Sequence, residues 1–317
     1  MNFRQLKYFV QIIDAGSMTR AAEQLNIAQP ALGAQIKQLE EELGVPLLIR
    51  HSRGIEPTPA GLILHRRAIE ILRLIDEARQ EIAASHDEAG EPLRFGITPS
   101  LMQIIGPELA IQMRQRAPKV QLSLSEEMSH ILVDTLHRGD LDLILAYEVA
   151  DAAGYWKRAL YQEDLVLVTS SGRRRGEPIS FAEALKEALV LPDARDSVRM
   201  LVEQKARELG LDLKVDHEIR SIPGLKTMIR RGVAAGILPF GTIASEVEEG
   251  ILSMRPIVSP TLRRTLFLCG ARHVQRMRSF ATVQLVVQAA VESLAKSMGP
   301  LGHLLPPGQS QAALGFP

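Results

Sequence analysis

The chain's 317 residues are long enough for two domains, and 46% of them are hydrophobic, so a sizeable core is within reach. Basic and acidic residues both number 37, a formal net charge of zero, which argues against a nonspecific polyanion binder but not against a locally basic DNA-reading surface. The one cysteine, Cys269, excludes an intrachain disulfide framework and a cysteine-rich zinc site. The longest apolar runs are strand-length and carry acids, so we read no membrane span and no signal peptide, and expect a cytoplasmic protein.

In residues 3 to 15, Leu6, Phe9, Val10 and Ile13 share one helical face. Ser17 is a good N-cap for a second short helix carrying Ala21, Ala22 and Leu25, and the small pair permits a close helix crossing. Asn26-Ile27 breaks that pattern. A third helix starts near Gln29 with Pro30 in its first turn, carries Leu32, Ile36, Leu39 and Leu43 as one stripe, and stops at Gly44. Helix, turn and crossing helix make a helix-turn-helix unit, which places the second helix in a DNA major groove. Two short strands around the basic turn Arg50-His51-Ser52-Arg53 read as a wing.

From Pro59 to about Ala84 the pattern is helical throughout, with Ala68, Leu72, Ile75, Ala78 and Ile82 on one side. Such a helix is either a solvated spacer or half of a self-pairing; the apolar stripe favours pairing through Leu72, Ile75 and Ile82. Residues 85–92, polar with Gly90 and Pro92, mark a domain boundary. Beyond it strands and helices alternate, which implies parallel sheets covered by helices. Helices are expected at 104–116, 129–138, 181–187, 197–209, 223–231, 242–249 and 275–297, and one or two strands within 156–170. Two clusters of alternation, with strands returning late, suggest two α/β lobes and a cleft between them. The tail after residue 298, rich in Pro, Gly and small residues, is expected to be disordered.

The segments LKYFVQIIDAGSMTRAAEQLNIAQPAL and QIKQLEEELGVPLLIR, the wing and TPAG together resemble the LysR-type transcriptional regulators, with wording nearest the nitrogen- and sulfur-assimilation branch. The resemblance covers nearly the whole chain except the tail. It implies a winged helix-turn-helix (1–58), a dimerising linker helix (59–88) and a periplasmic-binding-protein-like effector domain (91–298). Its first lobe would span about 91–161 and 267–298, its second about 162–266. It also implies self-association as dimers or dimers of dimers, promoter DNA as partner, and a small anionic metabolite held between the lobes.

On this reading the third helix offers Gln29, Pro30, Ala31, Gly33, Ala34 and Lys37 to base edges. Gln29 suits adenine, Pro30 and Ala31 suit thymine methyls, and Lys37 reaches phosphate or guanine. Most relatives carry serine and then a basic or polar residue where this chain has Gly33-Ala34, which shifts weight to the wing and to DNA shape. Ser17, Thr19 and Arg20 suit phosphates; Arg50, Ser52 and Arg53 suit the minor groove or the backbone. The acids Glu40 to Glu42 fall at the far end of the helix, where they can point away from the groove and need not oppose binding.

The expected effector contacts are Thr98, Pro99, Ser100, Leu101, Ser129, Ser197, Ile222 and Gly236. Hydroxyls where a strand ends and a helix begins form an anion site without any basic side chain, although each can equally be a plain helix cap. Arg195 and Arg199 flank one such start. His130 and His137 make a poor metal pair, Asp140 and Asp142 read as solvated, and Arg173 to Arg175 as a solvated loop. No Walker motif, GxGxxG frame or serine elbow is present, so we expect neither cofactor nor metal and no enzyme. The rival readings are a ligand-binding or enzymatic α/β protein with an incidental N-terminal domain, and a LysR-type regulator acting without ligand.

Overall fold

The computed structural model describes residues 1–51, 54–84, 90–152, 154–171 and 176–306. The chain divides into two compact units, Met1–Ala89 and Gly90–Pro317.

In the first unit, α1 (Phe3–Ala15), α2 (Met18–Gln24) and α3 (Gln29–Leu43) enclose a core of Phe9, Ile12, Ala21, Leu32, Ile36 and Leu39. Glycines in the left-handed conformation end α1 (Gly16) and α3 (Gly44), where a Cβ would be strained. The wing is the antiparallel pair β1 (Leu48–His51) and β2 (Gly54–Pro57). It is tied back at three places. Glu40, on α3, accepts from Leu47 N (2.7 Å) and Leu48 N (3.2 Å). Ile55 N donates to Gly16 O at 3.1 Å. Thr58 N donates to Leu47 O, and its hydroxyl donates to Pro46 O while accepting from Gly61 N. Thr58 thus caps the 26-residue helix α4 (Pro59–Ala84). His65 on α4 meets Asp14 on α1 at 3.4 Å.

The second unit is α/β, and its sheets are mixed rather than parallel. Its elements run β3 (Glu91–Ile97), α5 (Pro99–Arg116), β4 (Val120–Glu126), α6 (Ser129–Arg138), β5 (Leu143–Tyr147), β6 (Tyr155–Ser170), β7 (Ile179–Ser180), α7 (Phe181–Ala184), β8 (Leu189–Leu191), α8 (Ser197–Glu208), β9 (His217–Glu218), α9 (Ile222–Arg230), β10 (Ala235–Pro239), α10 (Ala244–Glu248), β11 (Leu252–Val258), β12 (Arg263–Ala271), α11 (Phe280–Met298) and β13 (Gly302–Leu304). Lobe I carries the order β4-β3-β5-β12-β6-β13, parallel at the β4, β3 and β5 end and antiparallel after it. Lobe II carries β9-β8-β10-β6-β11.

One 16-residue strand, β6, belongs to both sheets. Through Asp164 it pairs with β12, and from Leu165 with β10. The lobes therefore change over at Asp164/Leu165 and between Val258 and Arg263. That is later than residue 161 and earlier than residue 267, the bounds that the family resemblance implies, because one strand runs straight through residue 161. Helix α5 starts at Pro99 rather than 104; it keeps Pro107 inside it, which masks the helical pattern in the sequence. The tail is ordered further than composition suggests: β13 pairs with Tyr161–Glu163 of β6, and His303 lies 3.2 Å from Asp164. Residues 307–317 fall outside the described residues, as do Arg173 to Arg175. Asp142 is not solvated. It is 1% exposed and accepts from the Arg94 guanidinium at 2.6 and 3.0 Å, with His273 at 3.1 Å. Burial raises its pKa, but the His273 and Arg94 hydrogen bonds outweigh burial and hold the carboxyl below its ordinary value. Among the described residues no helix is long and apolar enough to cross a membrane.

Candidate functional site

The helical repeat of α3 turns Leu32, Ile36 and Leu39 into the core and leaves Gln29, Pro30, Ala31, Ala34 and Lys37 exposed, with Gly33 half-buried. Space beside Gly33 is open: a Cβ there would meet nothing within 4 Å, so no protein neighbour demands a glycine. Lys37 pairs with Glu41 at 3.6 Å on an exposed face, a contact that a phosphate can replace at little cost. Of the other groups expected to meet DNA, Thr19, Arg20 and Arg50 are exposed, and Ser17 is half-buried, its hydroxyl accepting from Arg20 N at 3.5 Å. Ser52 and Arg53 lie outside the described residues. Glu40 is engaged at the wing backbone and Glu42 at the Met1 amino group, which gives two of the three acids at the helix end a structural occupation.

The second candidate site lies between the lobes of the effector domain. Four helix N-termini converge on one small cavity: Thr98 to Ser100 opening α5, Met128-Ser129 opening α6, Asp196 to Val198 opening α8, and Ile222 opening α9. The cavity holds about 40 Å³, room for about three waters. No side chain caps α5 or α6, so their first-turn N–H groups remain as donors. Thr98 and Ser100 are buried, their hydroxyls 3.4 Å apart. Two serines stand one residue inside their helices rather than at the cap. Ser129 accepts from Tyr147 N at 3.0 Å, joining α6 to β5. At α8 the cap is Asp196, which accepts from Val198 N at 2.8 Å. Leu101 and Gly236 do not line the cavity. Leu101 turns into the lobe I core, as the helical repeat demands two residues after Pro99. Gly236 sits mid-strand, and a Cβ there would approach Ile229 Cδ1 to 2.6 Å, so its smallness serves packing.

Sequence reasoning missed Arg264 of β12, which lies between the lobes with only 4% of its surface exposed. Its Nε donates to Glu163 Oε1 at 2.6 Å, its Nη1 to Ser197 Oγ at 3.4 Å, and its guanidinium stacks 3.6 Å from the Tyr147 ring. Nη2, 2.5 Å from the same Glu163 oxygen, makes no aligned hydrogen bond. Burial opposes its charge, and Glu163, Tyr147 and Asp196 together outweigh that. Asp196 behaves oppositely: burial raises its pKa, although Arg264 and the N–H groups of Val198 and Arg199 counter part of the rise. Arg199 is held by Glu203 at 2.5 Å, and Arg220 at the rim by Asp193 at 2.9 Å. Among the described residues no cluster of three His, Cys, Asp or Glu side chains is placed to hold a metal ion.

The bacterial LysR-family regulatory helix-turn-helix model matches residues 3–62, and the LysR substrate binding domain model matches residues 86–295. The chain is 36% identical over 275 residues to the nitrogen assimilation regulatory protein nac of Klebsiella aerogenes, covering 84% of this chain and 88% of that protein. It is 27% identical over 270 residues to the hydrogen peroxide-inducible genes activator of Escherichia coli O6:H1, with the same coverages of 84% and 88%. A full-length OxyR cysteine variant from Pseudomonas aeruginosa superposes with a TM-score of 0.64 at 23% identity, covering 92% of this chain and 94% of that one.

Proposed function

The chain belongs to the LysR family of DNA-binding transcriptional regulators, and from that premise we propose that α3 and the wing read a promoter while a small molecule between the effector lobes controls the outcome. The observation that carries this is the pairing, in one chain, of an exposed α3 face bearing Gln29 and Lys37 with a cavity ringed by helix N-termini. Base readout rests on Gln29 and on apolar contact from Pro30, Ala31 and Ala34. Thr19, Arg20, Lys37 and Arg50 position the helix on phosphates. With so few cations in each domain, one copy binds weakly, and linked copies raise affinity through effective concentration. Such a regulator works where the promoter is, in the cytoplasm.

Footprinting tests this reading. Full-length protein is expected to protect a partly palindromic, AT-rich promoter site. A chain lacking residues 1–88, which retains the second unit, is expected to lose all protection and to keep ligand binding. Equal affinity for promoter and random DNA at physiological salt would overturn it. Catalytic turnover by the shortened chain would favour an enzymatic α/β protein instead.

Control by an intrachain disulfide is not available to this chain, which has one cysteine. Cys269 is buried in β12, and burial pushes its thiol up to about 12.

Self-association is assigned to α4. Leu62, Ile63 and Leu74 are 50%, 57% and 55% exposed on it, while Leu72 and Ile75 are half-buried and Ile82 is 69% exposed. A second copy of the helix would remove these side chains from water, at about 25 cal/mol for each Å² of apolar surface. Leu74→Asp is expected to turn the dimer into monomer in sedimentation at micromolar concentration, with the helical circular dichroism of the chain retained. Ile75→Asp should weaken the dimer similarly. Unchanged sedimentation of both variants would remove α4 from the interface.

A further inference from the structure

The charges around the inter-lobe cavity are arranged asymmetrically. On the lobe I side the openings of α5 and α6 present uncapped N–H groups and the hydroxyls of Thr98 and Ser100, with no acid among the described residues that line it there. That side favours a carboxylate or another anion. On the lobe II side the opening of α8 is already occupied by the Asp196 carboxylate, which lines the cavity. Arg264 stands between them. Of the two arginines in the lining it is the buried one, its Nη2 lacks an aligned acceptor, and its charge is matched by Glu163.

In the lining Arg220 is ion-paired with Asp193 and Arg264 with Glu163, while Asp196 has no such ion pair among the described residues, so the lining and its ion partners carry two positive and three negative side chains. A multiply charged anion gains no net side-chain attraction there, and it would press against Asp196. A ligand with a carboxylate at one end and an ammonium group at the other would satisfy both sides. Its ammonium would also compensate the cost of keeping Asp196 charged away from water.

Resting on the reading of this cleft as the effector site, we propose that the ligand is a zwitterion of α-amino-acid type, its carboxylate at the α5 and α6 openings and its ammonium at Asp196. Arg264 positions the wall between the two ends and holds Ser197 in place. The cavity as it stands is smaller than any α-amino acid, so binding requires the lobes to part at β6 and at the Val258–Arg263 connection, least for a compact amino acid.

The test compares pairs of probes that differ only in exchanging ammonium for hydroxyl: L-serine against L-glycerate, L-alanine against L-lactate, and L-glutamate against L-2-hydroxyglutarate. Ethanolamine, which lacks the carboxylate, is the reverse control. Calorimetric titration of the full chain is expected to show at least one amino acid binding 10-fold or more tighter than its hydroxy acid, with ethanolamine silent. Asp196→Asn keeps a good N-cap residue, so the fold is retained. It is expected to weaken the amino acid 10-fold or more and to leave the hydroxy acid unchanged or improved. Ser197→Ala is expected to weaken both classes, since it alters the cavity wall without altering charge.

A hydroxy acid that binds as tightly as its amino acid, or an amino acid indifferent to Asp196→Asn, would overturn the charge assignment. Sensitivity to Ser197→Ala would then still place the ligand in the cleft. Binding indifferent to both substitutions would remove the cleft itself as the site, and no binding by any probe would overturn the amino-acid class.

Discussion

Arg264→Met is expected to destabilise the effector domain by about 3–5 kcal/mol, because it strands the Glu163 carboxylate, only 4% exposed, without its partner. The pair joins the two strands that pass between the lobes: Glu163 lies at the end of the lobe I part of β6, and Arg264 at the start of β12. Tyr147 stacks on the guanidinium from β5 and Ser197 accepts from it in lobe II, so four separate segments lose a contact at once. For a unit of this size the loss corresponds to a fall in melting temperature of about 10 °C. The chain's one tryptophan, Trp156, lies on β6 in lobe I, so its fluorescence during urea unfolding reports this transition. The double variant Arg264→Met with Glu163→Met is expected to regain most of the loss, since an apolar pair of similar volume removes the stranded charge. A single variant within about 1 kcal/mol of the parent would mean that water already reaches the pair, and that Arg264 is a surface cation in effect.

Gly61→Ala carries the second large effect, in the DNA-binding unit. A Cβ at Gly61 would sit 2.1 Å from Leu47 O, a backbone atom held in place by the Thr58 N–H. No rotamer relieves a clash with backbone, so either α4 moves away or β1 leaves the core. Overpacking of this kind costs about 1–3 kcal/mol, and more where nothing yields. Displacing β1 also carries Arg50 away from its place in the wing, so DNA affinity should fall together with stability. Circular dichroism melting of the N-terminal unit and promoter titration are the paired measurements. Gly33→Ala is the internal control: its Cβ meets nothing, and alanine in a helix interior is better than glycine by up to about 1 kcal/mol, so that variant should melt no lower than the parent. Equal melting of the Gly61→Ala and Gly33→Ala variants would show that the α4–wing contact is slack.

These two residues also divide what was legible in the sequence from what was not. TPAG was readable only as a piece of the family pattern: the helix start at Pro59 is local, whereas the approach that Gly61 allows is to Leu47, well before it in the chain. The stripe of Leu32, Ile36 and Leu39 was readable by itself, since helical periodicity is a local signal. Thr98, Ser100, Ser129 and Ser197 were found from hydroxyls at strand-to-helix junctions, although all but Thr98 stand inside their helices and Leu101 and Gly236 face away from the cavity. Arg264 was illegible. In RRTLFLCGA it reads as the charged start of a strand, and its partner Glu163 is 101 positions earlier. Asp142 was misread for the same reason: its fate is decided by Arg94, 48 positions away, and His273, 131 positions away. Charges acquire their roles from long-range neighbours, which periodicity does not report.

Because β6 runs through both sheets, lobe II is in effect an insertion into lobe I, its two ends joined by the hydrogen bond from Leu165 N to Leu262 O at 2.8 Å. The two lobes therefore stand differently toward ribosomal synthesis. Every strand of the lobe II sheet has been made once Val258 emerges, whereas lobe I must wait for β12 and β13 to return from beyond it. At about 5–20 residues per second, the stretch between Asp164 and Arg263 keeps the lobe I edge of β6 without its β12 neighbour for roughly 5–20 s. During that interval the exposed edge is a vulnerability of the nascent chain that the finished protein no longer shows.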